Sequence, residues 1–249
     1  MTPDGSLIVH QSGTNRIGLV VIGGRPVEPT GPCVVPETEL LNETERMAVG
    51  ILGQSNVLTR AQAKGEVEFP IRYSEDTLRT CASENEEQGC DWRLVYLRGN
   101  SLAEEEKRVG IDPKRQPCFF DNSWWLGGLI GRWFREVPRR FEPGYYLIDF
   151  NGRFGRTSWP RQEQAIRTLG PQFQRAHEAM VTEAALRIFE ATGARLLFWS
   201  YHWGYAVNYL SNRVQVGYFH AEGWCVDYTA ALWDRNDQLR VCLLRKFEI

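Results

Sequence analysis

The sequence predicts an α+β fold, because clear helical and strand-like patterns are both present and occur in separate runs. Residues 175–191 carry apolar side chains along one stripe at helical spacing, and Gly193 stands just beyond them, where a helix can end. Residues 213–216 and 239–243 alternate apolar and polar side chains, as strands with one buried face do. The elements therefore follow the order strand, helix, helix and then several strands.

The first 84 residues are predicted to form a small α/β extension of the main domain. Two β-forming runs, 7–10 and 17–22, flank a turn-forming segment and indicate a hairpin. Residues 37–53 have the apolar spacing of an amphipathic helix that ends at Gly53. The predicted extension thus combines a hairpin with helical structure.

The acidic segment 83–89 is predicted to be a loop and the boundary of this extension, because its composition differs from that of its neighbours. Beyond it, residues 92–97 have the β-forming side chains of a strand. Ser101 and Glu104 have the spacing of a capping box, in which a hydroxyl and a carboxylate satisfy free backbone N–H groups at a helix start. The sequence therefore predicts a second domain over residues 85–249.

The second half of the chain carries the remaining elements of that domain. Residues 112–140 form an irregular aromatic segment that would aggregate if it were uncovered. Residues 144–150 are rich in β-formers, and Ser158 with Pro160 marks the start of a helix that stops at Gly170. Four further strands are predicted at 195–199, 213–216, 224–228 and 239–247.

The composition excludes several classes of partner. The 249 residues contain 29 basic and 31 acidic side chains, so a net charge of −2 provides no global attraction to nucleic acid or to an anionic membrane. Residues 1–10 have neither the basic region nor the apolar stretch of a signal peptide, and no window is apolar enough for membrane insertion. We expect a soluble protein; the sequence leaves open whether it is virion-associated or cytoplasmic.

The six cysteines are scattered along the chain and form no CxxC pair. A domain of this size does not need disulfides for its stability. We therefore expect reduced and mostly buried thiols, with the segment between two of them, Cys81 and Cys90, as the expected exception. The cysteines are Cys33, Cys81, Cys90, Cys118, Cys225 and Cys242.

No catalytic, metal or cofactor site is recognisable from residue spacing. The four histidines form no HxH or HxxxH pair, and no cysteine stands at zinc-ligand spacing from them. The segment 152–156 places two arginines beside glycines and either binds an anion or forms a solvated turn. Asp149 and Glu183 are paired carboxylates, solvated charges or partners of arginine, and the sequence does not choose between these roles.

Residues 198–237 differ from the rest of the chain, because they hold four of the nine tryptophans and five of the nine tyrosines. Tyrosine combines a rigid apolar face with a hydroxyl, and neighbouring Asn, His and Asp add adaptable hydrogen-bonding groups, as in antibody binding sites. We therefore predict a ligand-binding surface in this stretch. Its residues are Tyr201, His202, Tyr205, Asn208, Tyr209, Asn212, Tyr218, His220, Asp227, Tyr228, Asp234, Asn236 and Asp237.

The tryptophans of this stretch are expected to fill the core, because indole is mostly buried in folded proteins. They are Trp199, Trp203, Trp224 and Trp233. Tyr218 has two interpretations: strict alternation places it with Val214 and Val216, whereas a bulge at Gly217 would turn it to the other side. Only the fold decides between the two.

From residue 92 to the C-terminus, the chain resembles the C-type-lectin-fold variable proteins that diversity-generating retroelements rewrite at adenines. The resemblance rests on two helices that precede a loop-rich β-region at the extreme C-terminus. The Gly-Gly-Ser-Trp signature of that family is absent. The frame of the resemblance is Trp203-Gly204, 213–217, Phe219, Gly223 and 239–247.

The resemblance implies a C-type lectin-like fold over residues 85–249, with a variable region at about 194–237 and no catalytic residue. In such systems adenine-directed substitution yields Tyr, Asn, His, Asp and Ser but not Trp. Tyrosines and amides would then be displayed on a scaffold that keeps its tryptophans. The implied partner is a protein or cell-surface ligand, with no cofactor, and neither sugar nor calcium binding is implied.

Two alternatives come from other functional classes. One is an enzyme on the related formylglycine-generating scaffold, with Cys225 or Cys242 as the reactive thiol, and a low thiol pKa would favour it. The other is a structural virion protein, which predicts a stable oligomer without a discrete ligand.

Overall fold

A computed structural model of the chain describes residues 41–120, 141–207, 212–229 and 237–248. These residues belong to one compact unit that begins at Glu37. The hairpin predicted near the N-terminus lies outside the described residues, as does most of the aromatic part of the segment 112–140.

The first helix of the described chain has a capping box at its N-terminus. Helix α1 (Glu43–Leu52) starts after Asn42, whose side chain accepts from the Glu45 N–H at 2.8 Å while the Glu45 carboxylate accepts from the Asn42 N–H at 3.1 Å. The helix ends at Gly53, which confirms the predicted end. A 3₁₀ turn and the short strand β1 (Val57–Leu58) follow.

The acidic segment 83–89, expected to be a loop, is the last part of helix α2 (Glu75–Gln88). The helix buries Leu78 and Cys81, and Gly89 ends it in the left-handed conformation with φ 64°. Glu84 on this helix accepts from the indole N–H of Trp92 at 2.6 Å. Acidic side chains are good helix formers when one face packs, so composition alone marked no boundary here.

The remaining elements follow the predicted order of strand, helix, helix and several strands, except that a three-residue strand, Phe173–Arg175, lies between the two helices. The capping box at Ser101 is present, since its hydroxyl accepts from the Glu104 N–H and the Glu104 carboxylate accepts from the Ser101 N–H. The elements are β2 (Trp92–Leu97), α3 (Leu102–Val109), β3 (Gly144–Arg153), α4 (Trp159–Leu169), β4 (Phe173–Arg175), α5 (Glu178–Thr192), β5 (Tyr201–Val207), β6 (Arg213–His220), β7 (Gly223–Thr229) and β8 (Leu239–Arg245).

The strands join in one mixed sheet in the order β1-β2-β3-β8-β5-β6-β7, with β4 pairing with β8. Strand β8 is central: it runs antiparallel to β3 and parallel to β5. Strands β5, β6 and β7 form an antiparallel meander at one end of the sheet. The α+β prediction is therefore confirmed, and the C-terminal strand connects the meander to the rest of the domain.

Helix α5 provides the main apolar contact of the sheet. It is buried from Glu178 to Ile188, and its apolar residues share one core cluster with residues from β2, β3, β6, β7 and β8. Residues of α1 and α2 belong to the same cluster, so residues 41–84 are part of the common core. Within the four described stretches, every helix is too short or too polar to span a bilayer.

One predicted strand is absent. Residues 195–199 form a turn, with Leu197 at φ 52°, and the strand begins at Tyr201 instead. The turn buries Leu196 and Leu197 and leaves Phe198 and Trp199 exposed. A run of apolar residues has the composition of a buried strand, but here the chain must turn after α5 to lie beside β8.

Candidate functional site

The meander of β5, β6 and β7 has two faces with different roles. His202, Val216 and Val226 are aligned across the three strands and are fully buried. Trp224 lies on the same face, and its indole N–H donates to the Thr182 hydroxyl of α5 at 3.1 Å. This face is therefore the core face, and Tyr201, which is half-buried, lies on the opposite face.

A bulge at Gly217 controls where the next side chains point. Gly217 has φ 141° and Tyr218 has φ 48°, and the pairing of β6 with β7 shifts register between Gly217 and His220. A Cβ atom on Gly217 would lie 2.4 Å from the Ser200 carbonyl oxygen, so a side chain is excluded there. Phe219 enters the core, while the Tyr218 ring stacks on Tyr201. The bulge interpretation of Tyr218 is confirmed.

Five aromatic rings form a continuous row that we call the aromatic surface: Phe198, Trp199, Tyr201, Tyr218 and His220. The Tyr218 ring is at its centre, stacked on Tyr201 at 5.4 Å between centroids and 9° between planes. It meets Trp199 edge-on at 5.7 Å and His220 edge-on at 5.6 Å. Phe198 extends the row, 4.6 Å from Trp199. Trp199 is 66% exposed and Phe198 is 40% exposed.

Polar groups flank this row. The Cys225 sulfur lies 3.4 Å from His220 Nε2, and its thiol also hydrogen-bonds with the Tyr201 hydroxyl. The backbone N–H of Glu222 donates to His220 Nδ1 at 3.1 Å, so the neutral ring carries its proton on Nε2 and donates towards sulfur. Burial nevertheless raises the pKa of Cys225 to about 12.

Asp227 lies two residues beyond Cys225 on β7 and therefore on the same face. Its side chain accepts from the Tyr228 N–H at 2.7 Å and hydrogen-bonds with the Gln215 amide. Burial raises the pKa of Asp227 above its ordinary value, while these two hydrogen bonds oppose the shift. Ion pairs recorded for the described residues include none with Asp227.

Two of the predicted surface residues are in the interior, and their assignment to an exposed surface is wrong. His202 is fully buried: its Nε2 meets the Ala176 carbonyl at 2.9 Å, and its Nδ1 accepts from the Cys242 N–H at 3.0 Å. Burial lowers the pKa of His202 to about 3, so the ring stays neutral and ties β5 to its neighbours. Asn212, just before β6, is 7% exposed.

The other predicted residues separate into three groups. Tyr205 is half-buried and packs edge-on against Trp159 at 6.4 Å, away from the aromatic surface. Tyr228 is half-buried, and Asp237 is exposed and pairs with Arg156 at 3.2 Å. Four residues lie outside the described part of the chain: Asn208, Tyr209, Asp234 and Asn236.

The four tryptophans that were predicted to fill the core also differ in burial. Trp203 and Trp224 are fully buried, as predicted, and Trp233 lies outside the described residues. The prediction for Trp199 is wrong, because the turn at Leu197 projects it outwards. Sequence reasoning therefore missed Phe198 and Trp199, and the only available signal was their position just after the helix-ending Gly193.

The candidate reactive groups elsewhere have structural partners. Asp149 pairs with Arg153 at 2.7 Å, and Glu183 accepts from the backbone N–H groups of Arg98 and Asn100 at 2.7 and 2.8 Å. Both carboxylates are buried and neither is solvated. In the loop 152–156 both arginines face carboxylates, Asp149 and Asp237.

The described residues contain no group of three or more His, Cys, Asp or Glu side chains arranged to hold a metal ion. Cys81 and Cys90 are both free, so the expected disulfide exception is absent, and the other described cysteines are free too. Four of the five described cysteines are buried, in agreement with the prediction. Comparison of the chain with protein-family models, with curated proteins and with solved structures found no match.

Proposed function

We propose that this protein recognises a protein or cell-surface ligand through the aromatic surface and is not an enzyme. The proposal includes a C-type lectin-like scaffold on which a retroelement varies the displayed residues. The observation that carries it is the row of rings from Phe198 to His220, with Trp199 66% exposed in the turn that precedes the meander.

Exposed aromatic rings of this size are costly unless they have a partner. Trp and Tyr supply a large, rigid contact area and lose little conformational entropy on binding. Contiguous exposed apolar area on a soluble domain marks an interaction site more often than chance. The rings are also held in place, since Tyr218 is fixed by the bulge at Gly217 and the strand beneath is buried. Preorganised rings favour binding.

The distribution of residue types supports the diversified scaffold. Tyr201, Tyr218, His220 and Asp227 are residues that adenine-directed substitution yields, and each is at least partly exposed. Trp203 and Trp224, which such substitution does not yield, are fully buried. The two helices precede a β-region that closes through the C-terminal strand, in the order that the resemblance implies.

The enzyme alternative has one observation in its favour, the 3.4 Å contact between the Cys225 sulfur and His220. A nucleophilic cysteine needs a thiolate and therefore a lowered pKa. Burial instead raises the pKa of Cys225 to about 12, and it also raises the pKa of the fully buried Cys242 well above its ordinary value. Both thiols are protonated near neutral pH, which counts against covalent catalysis.

The decisive experiment is to sequence the gene, its flanking DNA and sibling copies from related isolates. We expect a reverse-transcriptase gene nearby and a second copy of the last ~150 bases that differs only at adenines. Codons for Tyr201, Tyr218, His220 and Asp227 should vary, because these side chains contribute to binding and not to the core. Codons for His202, Trp203 and Val216 should stay constant.

The buried residues act as the internal control of this comparison, since His202 has the same residue type as His220 but is in the core. Variation spread equally over His202 and His220 would contradict the recognition surface. The lack of an adenine-differing copy would contradict the retroelement and leave the surface itself to be tested by binding.

A further inference from the structure

Seven aromatic rings of the described residues lie under an arginine guanidinium group. The guanidinium carbon of Arg213 lies 3.6 Å from the ring centroid of Trp159, and that of Arg195 lies 4.7 Å from Phe189. Such contacts combine cation–π attraction with stacking of two planar groups. The further pairs recorded are Arg72 with Phe247, Arg153 with Trp92, Arg175 with Trp159 and Tyr205, Arg195 with Phe219, and Arg245 with Trp92 and Phe173.

The aromatic surface is different. Among the described residues, no arginine or lysine is recorded over the rings of Trp199, Tyr201 or Tyr218. In the described part of the chain, the rings of Trp199, Tyr201 and Tyr218 therefore contact other rings and no guanidinium group, and Trp199 is the most exposed of them.

An acidic group for which no ion pair is recorded among the described residues stands beside the same rings. Asp227 lies on the face of Tyr201 and Cys225, about 7 Å along the strand from Cys225. Burial raises the pKa of Tyr201, and nearby Cys225 and the charge of Asp227 raise it further, so Asp227 lies within electrostatic range of the Tyr201 hydroxyl. Two hydrogen bonds hold its carboxylate, from Tyr228 and Gln215, and neither brings a positive charge. A half-buried carboxylate of this kind is stabilised by an incoming cation.

We propose that the aromatic surface binds an arginine side chain of the partner protein, with the guanidinium group against the Tyr218 and Trp199 rings and Asp227 as its counter-ion. This inference rests on the proposed function and specifies its ligand chemistry. Arginine fits better than lysine, because its planar, weakly hydrated guanidinium stacks on rings and donates to a carboxylate at the same time. Glu222, exposed beside His220, adds negative charge on the same side.

The test uses short blocked peptides, Gly-Arg-Gly and Gly-citrulline-Gly, as probes of the full-length protein in NMR titrations. Citrulline has the shape of arginine without its charge. We expect the arginine peptide to shift the indole N–H signal of Trp199, assigned by its loss in Trp199→Ala, and the citrulline peptide to leave it in place at the same concentration. Asp227→Asn should weaken arginine binding about tenfold, since a charge-assisted hydrogen bond is lost.

Glu75→Gln is the matched control, because it also removes one acidic charge but lies on α2 as the partner of Arg79. It should bind the arginine peptide as the wild type does. Equal shifts by arginine and citrulline peptides, equal binding of a Gly-Lys-Gly peptide, or equal losses in Asp227→Asn and Glu75→Gln would each overturn the inference.

The arginine-citrulline contrast needs only the wild-type protein, so it stands even if Asp227→Asn folds poorly. A partner whose binding is lost in Trp199→Ala, together with no response to the arginine peptide, would refute this inference and leave the proposed function intact. If Trp199→Ala left binding of the partner unchanged and the arginine peptide gave no response, both this inference and the proposed function would be refuted.

Discussion

Two aromatic clusters that both include residues of β5 and β6 have opposite surroundings. Around Trp159 of α4, the guanidinium groups of Arg175 and Arg213 lie 4.9 and 3.6 Å from the ring, and the indole N–H donates to the Gly204 carbonyl at 3.3 Å. The contacts recorded for the Tyr218 ring among the described residues are with other rings: Trp199, Tyr201 and His220. We call the first the arginine-covered cluster.

Arginine groups of the fold itself close the arginine-covered cluster. Arg175 is buried, and its guanidinium donates to Glu163 at 2.8 Å, to Gln162 at 3.2 Å and to the Trp203 carbonyl, as a buried charged group requires. In the described residues, Arg213 Nε and the indole nitrogen of Trp203 are buried without a hydrogen-bond partner. The aromatic surface has the same residue types without that closure. The comparison teaches that covered rings contribute to stability, whereas uncovered rings on a stiff frame are available to a ligand.

The largest effect is expected on replacing a buried tryptophan next to the arginine-covered cluster. Trp203 is fully buried next to Arg175, so Trp203→Ala should lower the free energy of unfolding by ~3–5 kcal/mol through lost burial and a residual cavity. Chemical denaturation monitored by circular dichroism measures it. A loss below ~1 kcal/mol would mean that the interior around β5 is loosely packed and that the distinction between the clusters is wrong.

The second prediction concerns Glu183, a carboxyl group in the interior. Burial raises the pKa of Glu183 to about 7, against an ordinary value of 4.5, so the folded protein holds a proton that the unfolded chain releases between these pH values. The contribution of Glu183 to stability is therefore highest below pH 4.5 and falls as the pH rises to about 7. The loss amounts to roughly 3 kcal/mol.

Glu183→Gln removes that titration. The difference in unfolding free energy between wild type and variant should therefore shift by roughly 3 kcal/mol in favour of the variant between pH 4.5 and 7, as measured by denaturant unfolding at both pH values. The charged groups beside it, Glu105 and Arg187, are common to both proteins, so their contributions cancel to first order. A pH-independent difference would show that Glu183 is ionised in the folded state throughout.

The smallest effect on stability is expected on replacing an exposed tryptophan of the aromatic surface. Trp199→Ala should change the free energy of unfolding by less than ~0.5 kcal/mol, because the indole is 66% exposed. Trp203→Ala, four residues away, is its matched control in the same denaturation series. A loss at Trp199 comparable to that at Trp203 would place the ring in the core and remove the basis for the aromatic surface.

Much of the local structure was predictable from residue patterns. The helix ending before Gly193, the capping box at Ser101 and the strand 92–97 all depend on neighbours within a few residues, so spacing alone indicated them. The failures share a cause. At 83–89 and at 195–199 the composition was that of a loop and of a strand, and packing against distant segments decided otherwise.

The candidate site was predictable in location but not in membership. Enrichment in tyrosine drew attention to residues 198–237, and Tyr201, Tyr218, His220 and Asp227 do lie together there. His202 was assigned to the surface because histidine is polar, yet two backbone partners make it a satisfied core residue. Trp199 was assigned to the core because indole is usually buried, yet the turn before β5 exposes it.

By itself, the sequence determined most of the helices, most of the strands and where the aromatic residues concentrate, because these properties depend on short-range spacing; it missed helix α2. Only the tertiary structure decided which ring meets an arginine and which does not. Burial and pairing of β5 are set by α5 and by β8, the latter about forty residues later in the chain, and the bulge at Gly217 turns Tyr218 away from the core. Contacts between residues far apart in the chain separate His202 from His220 and Trp203 from Trp199.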